Sequence, residues 1–252
     1  MILQALLLFT AAFLGGAMNS VAGGGSFFSF PALLIVGLDA KVANATNTVA
    51  LWPGTVASVG AYRRELEAQR SIIRLLTVVS LGGGLLGALL LLWTPSAVFR
   101  QLLPFLMLAA TLLFAFSPRI NRYIRSADVR RGSASYTRNR TLVLQLIISI
   151  YGGFFGGGLG ILMLATLALM GMDHIHEMNA VKTLLTMLIN GIAVVAFVIA
   201  GVVAWLPALL MAIGAIAGGY GGAALARRIQ PRIVRAFVII VGFSLSAYLF
   251  VR

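Results

Sequence analysis

"GAMNSVAGGGSFFSF", residues Gly16–Phe30, sets three consecutive glycines inside an apolar run. That run, Met1–Asp39, carries no charge before its last residue. It exceeds the roughly 20 residues a helix needs to cross a bilayer. Glycine inside a helix costs about 1 kcal/mol against alanine, and irregular backbone at membrane depth persists only where protein buries it or it lines a wet cavity. The stretch therefore predicts a membrane helix broken at its midpoint.

The rest of the chain supports the same solvent. Of 252 residues, 60% are hydrophobic and only 10% charged, with a mean hydropathy of +1.01. A soluble domain carries about a quarter charged residues. Leu75–Phe99 and Leu142–Met172 are further membrane-length runs. We read an all-α polytopic membrane protein, a single transmembrane domain over residues 1–252. The first run is too long for a secretory signal and lacks a basic leading region, so it is expected to be retained. The absence of cysteine removes disulfides, thiolate metal sites and cysteine nucleophiles. The net charge of +13 comes mostly from 17 arginines, gathered between the apolar runs. Such placement reads as a topology signal facing the cytoplasm and anionic membrane lipid, with no nucleic-acid partner.

Eight apolar segments are expected, at about 2–37, 42–62, 75–93, 97–117, 141–171, 179–201, 204–226 and 233–251. They form two homologous four-segment repeats, 1–117 and 141–252, joined by the basic linker 118–140. "GGG" at Gly23–Gly25 answers "GGG" at Gly156–Gly158. "NATNT" at Asn44–Thr48 answers "NAVKT" at Asn179–Thr183, and "GGGLLGA" at Gly82–Ala88 answers "AGGYGGA" at Ala217–Ala223, each at an offset of 135. Arginine sets the orientation. The loops 63–74, 118–140 and 227–235 hold four, seven and four arginines. All three become cytoplasmic if the first and fifth segments are re-entrant, entering and returning on one side. The repeats are then inverted, a plan common in secondary transporters.

Each glycine break leaves free amides at the start of the following half-helix, where the dipole is also positive, and such an end attracts anions. Asn19, Gly24, Gly25 and Ser26 in the first break, with Gly157, Gly158 and Leu159 in the second, are expected to hold one anion between them. Asn44, Asn47 and Thr48 share a helix face at i, i+3 and i+4. Asn179, Lys182 and Thr183 repeat that spacing, with Thr186 and Asn190 continuing along it. Lys182 either faces the substrate path or snorkels to the interface. His174, His176 and Glu177 offer a route for proton coupling, against the plainer reading of a polar surface loop. Trp52–Pro53 is expected to kink or end its helix. Pairs such as Gly83 and Gly87 read as helix-packing positions. No catalytic set, metal site or cofactor motif is present, so the chain is not read as an enzyme.

These residues resemble the sulfite exporter TauE/SafE family, also called TSUP. The resemblance rests on "GAMNSVAGGGSFFSFPALLIVGLDAKVANATNTVA", with its glycine break, Pro31, Leu33, Gly37 and Ala43–Asn47. "GGFFGGGLGILMLATLALMG", Gly152–Gly171, resembles the family's second hallmark, and the likeness covers essentially the whole chain. It implies a secondary transporter exporting a small sulfur-containing anion, such as sulfite, sulfoacetate, taurine or a related sulfonate, by alternating access in the cell membrane. Two departures bear on the substrate: "ATN" stands where the family commonly has "ATS", and the second repeat has "AVK". Carriage of another small anion or of a cation, and a non-transporting scaffold, are the alternatives. Homo-oligomerisation is left open.

Overall fold

The apolar runs fold as helices because hydrocarbon offers their backbone no other hydrogen-bond partner. A computed structural model describes residues 2–21, 24–130, 138–170, 172, 174–226 and 231–251. Among these are eleven helices and no strand. The first half holds α1 (Ile2–Val21), α2 (Ser26–Ile35), α3 (Ala40–Ala61), α4 (Arg63–Ala68), α5 (Arg70–Trp93) and α6 (Ser96–Arg130). The second holds α7 (Arg138–Phe154), α8 (Leu159–Leu169), α9 (Ile175–Ile199), α10 (Trp205–Ala226) and α11 (Pro231–Val251). Four are long and apolar enough to cross a membrane by length and composition alone: α1, α5, α6 and α9.

The eight expected segments are all present as helix, and the first and fifth are broken in two. Three boundaries differ. α6 continues past residue 117 through Arg130, since no glycine interrupts it before Gly132 and Pro118 does not end it. The basic loop 63–74 contains the short α4. Pro53 lies within α3, which runs on to Ala61 rather than ending there.

The two halves interlock. α1 packs mainly on α10 and α7 on α5; α3 also meets α10, and α9 meets α5. α3 and α9 pack on each other, as do α6 and α11. Exchanging α1 with α7, α2 with α8, α3 with α9, α5 with α10 and α6 with α11 turns these main pairings into one another. Small residues permit the closeness: a Cβ on Gly218 would lie 1.9 Å from the Phe13 carbonyl oxygen.

Polar contacts fix which helix ends share a side. Gln69 Nε2 donates to Glu177 Oε2 at 2.7 Å, holding the α4–α5 junction beside the start of α9. At the start of α3, Lys41 Nζ donates to the carbonyls of Leu92 (2.6 Å) and Thr94 (2.9 Å), capping the last turn of α5. Asp39 caps α3 through the Lys41 amide and pairs with Arg100 at 3.2 Å. Partial burial pushes the Asp39 carboxyl up, but these hydrogen bonds outweigh it and leave it below the usual carboxylate value. The Ala204 amide donates to Thr46 Oγ1 at 3.0 Å, placing the α9–α10 junction beside α3 as well.

Candidate functional site

Both glycine breaks end at the residues where the sequence placed the new half-helices. Gly24 (φ +90°) turns the first, and α2 starts at Ser26. Gly156 and Gly158 (φ +74° each) turn the second, and α8 starts at Leu159. These left-handed conformations suit glycine and strain other residues. The first break folds back tightly, for Gly25 lies against Gly15 and donates its amide to Asn19 Oδ1 at 2.8 Å. In the second, the Tyr151 hydroxyl donates to the Gly157 carbonyl. The first amides of a helix have no intrahelical acceptor, and those of Ser26 and Gly160 have no partner among the described residues.

Between the two breaks lies a cavity of about 60 Å³. One water needs at least about 10–15 Å³ on this measure, so several waters or a small ion fit. α3 contributes Asn47, Thr48, Leu51 and Thr55, and α9 contributes Lys182, Thr183, Thr186 and Asn190. The second set is the first shifted by 135, residue for residue. The same offset links Trp52 to Met187, and the Trp52 indole donates to the Met187 carbonyl at 3.0 Å, tying the two helices at the site. Asn19, Gly24 and Ser26 from the first break, and Phe155, Gly156, Leu159 and Gly160 from the second, close the cavity.

The two halves of the lining differ in what they leave unused. Asn47 is occupied: its Nδ2 donates to Ser26 Oγ at 3.2 Å and its Oδ1 accepts from Ser29. Lys182 is 4% exposed and spends one of its three donors on Asn179 Oδ1 at 3.1 Å. No carboxylate lines the cavity among the described residues. The ion pairs found there are Arg100–Asp39 and Arg70–Glu67, both far along the chain from Lys182. Thr186 Oγ1 is buried with no hydrogen-bond partner. A buried cation without a counter-charge is costly, and a buried unpaired hydroxyl costs about 1–3 kcal/mol. Lys182 faces a cavity beside two positive helix ends, which is an arrangement suited to an anion.

Of the expected site residues, Asn19, Gly24, Ser26, Asn47, Thr48, Leu159, Lys182 and Thr183 line this cavity. Lys182 faces it rather than snorkelling. The others are placed elsewhere. The Gly25 amide is used by Asn19. Asn44, which donates to the Phe154 carbonyl at 3.0 Å, and Gly157 line a second cavity of about 10 Å³ behind Ser26, Asn47 and Phe155. Gly158 backs onto Ala110, and Asn179 serves Lys182. His174 and His176 are exposed at the start of α9, and Glu177 is held by Gln69; none lines the cavity. No cluster of three or more metal-ligating side chains exists among the described residues. Leu51, Thr55, Phe155, Gly156 and Gly160 were missed as lining residues, and Thr186 and Asn190 had been noted only as a continued stripe. Applying the offset of 135 to Thr186 and Asn190 on that stripe gives Leu51 and Thr55, two of the seven.

Comparison with known proteins agrees with this architecture. The family model described as "Sulfite exporter TauE/SafE" matches residues 8–249. A "Probable membrane transporter protein" of Haemophilus influenzae is 30% identical over 249 residues, covering 96% of this chain and 92% of its own. "Probable membrane transporter protein ORF9" of a Sinorhizobium species is 31% identical, covering 95% and 89%. "Probable membrane transporter protein YfcA" of Escherichia coli K12 is 28% identical, covering 96% and 88%. No solved structure matches the chain.

Proposed function

The chain belongs to the sulfite exporter TauE/SafE family, and from that premise we propose that this membrane transporter exports a small sulfur-containing anion by alternating access. Sulfite, sulfoacetate and related sulfonates are the candidate substrates; taurine differs from them by its ammonium. The observation that carries the reading is Lys182, a buried cation with no carboxylate beside it among the described residues, facing a cavity between two half-helix N-termini. An anion entering the bilayer loses its hydration, and fixed positive groups at the site offset that cost. Lys182 also disfavours a cation carrier, and a polar cavity is not what a scaffold packed by its glycines would enclose.

The protein is proposed to sit in the cytoplasmic membrane with loops 63–74, 118–140 and 227–235 inside the cell. The Gln69–Glu177 bond supports this. If α5 and α6 each cross once, the chain enters α7 on the side where Gln69 lies, and Glu177 lies on that side too. The fifth segment then returns to the face it entered. Had it crossed, the two residues would be a membrane apart.

Flux of sulfite, sulfoacetate and taurine into proteoliposomes, with and without a pH gradient, tests transport and any proton coupling through His174, His176 or Glu177. In a calorimetric titration Lys182→Ala should weaken sulfite binding at least tenfold, since a hydrogen bond to a charged group is worth about 1.5–3 kcal/mol. Unchanged affinity would remove Lys182 from the site.

A further inference from the structure

Resting on the reading of the cavity as an anion site, we infer that it accepts simple sulfonate and sulfite anions and rejects zwitterions that carry an ammonium group beside the same headgroup. A bound ammonium needs a counter-charge, and the cavity supplies none: no carboxylate lines it among the described residues. Asp39 is committed to Arg100 and Glu177 to Gln69, while Glu65 and Glu67 belong to α4.

Two of the neutral acceptors are engaged as well. Asn19 Oδ1 accepts from the Gly25 amide, and Asn47 Oδ1 accepts from Ser29. Two N–H bonds of Lys182 and, among the described residues, the Gly160 amide are unspent donors, beside the neutral oxygens of Thr48, Thr55, Thr183 and Asn190, which carry no charge to balance an ammonium. Lys182 adds to the discrimination, because it brings a positive charge to the same cavity. Like charges repel more strongly where water is excluded. An anion whose remainder is apolar or absent meets no such penalty.

Ethanesulfonate and taurine test this directly, because they share the sulfonate and a two-carbon chain and differ by the ammonium. Near neutral pH a primary amine stays protonated. Titration of the purified full chain in detergent should show sulfite and ethanesulfonate binding, with taurine at least tenfold weaker. Lys182→Gln should weaken ethanesulfonate and narrow the gap between the two. Equal binding of taurine and ethanesulfonate by the unaltered protein would overturn the inference and leave the anion site standing. Binding of neither sulfite nor ethanesulfonate would overturn the anion site itself. A gap that persists unchanged in Lys182→Gln would take the discrimination away from this residue.

Discussion

Thr186 carries a buried hydroxyl with no hydrogen-bond partner among the described residues, one helical turn from Lys182. The two therefore separate binding from stability in different ways. Lys182 is held by Asn179, so altering it disturbs both ligand and helix. Thr186→Val removes only an unsatisfied group while keeping side-chain volume. Its melting temperature should stay level or rise, because the buried unpaired hydroxyl is a cost in the free state. Its affinity for sulfite should fall about fivefold, the worth of a net hydrogen bond of about 1 kcal/mol. A drop in stability with unchanged affinity would show that Thr186 serves packing alone. The sequence exposed the polar stripe on α9, but not which of its members had spare hydrogen-bonding capacity. That depends on neighbours from other helices, as the capture of Asn47 by Ser26 and Ser29 shows.

The glycine breaks are the elements on which the site depends, and Gly24 and Gly25 of the first do different work. Gly24 supplies the positive φ, whereas Gly25 supplies the close approach of the returning chain to α1. A Cβ on Gly25 would stand 2.1 Å from the Gly15 carbonyl oxygen and 2.8 Å from the Asn19 side chain. Gly25→Ala should lower stability by about 1–3 kcal/mol or more, as overpacking does, and should disturb the Ser26 end of the cavity. Gly82→Ala is the control: nothing lies within 4 Å of its Cβ, and alanine favours the α5 helix. Thermal melts of the two variants in one detergent compare them. If Gly25→Ala melts with the unaltered protein, the fold-back does not need that contact. That a break existed, and that α2 and α8 began at Ser26 and Leu159, was legible in the sequence, since consecutive glycines favour neither helix nor strand. That the Gly25 and Gly158 positions face packing partners rather than the cavity was not, because it follows from where α1 and α6 lie.

At the scale of the whole molecule, the proposed inversion makes a prediction about sidedness that the absence of cysteine renders simple to test. Single cysteines at Glu67, Ser96 and His174, all exposed, give three labels without competing thiols. With a membrane-impermeant maleimide, Glu67→Cys and His174→Cys should label from the cytoplasmic face, and Ser96→Cys from the other. His174→Cys labelling together with Ser96→Cys would mean the fifth segment crosses after all. The interlocked pairing, each half's first helix on the other half's third segment, explains why neither half closes a cavity alone: the lining needs α3 and α9 together. By itself the sequence determined that the chain is helical and membrane-embedded, where its helices break, and which polar faces they carry. These follow from local composition and period, which hydrocarbon solvent enforces on each segment separately. Only the tertiary structure decided that α1 pairs with α10 and α7 with α5, that matching positions of α3 and α9 enclose one cavity, and that Lys182 faces it with no counter-charge among the described residues. In a membrane, apolar burial does not distinguish one helix partner from another. The choice falls to the shape of small-residue surfaces and to scattered polar contacts, and neither can be read one segment at a time.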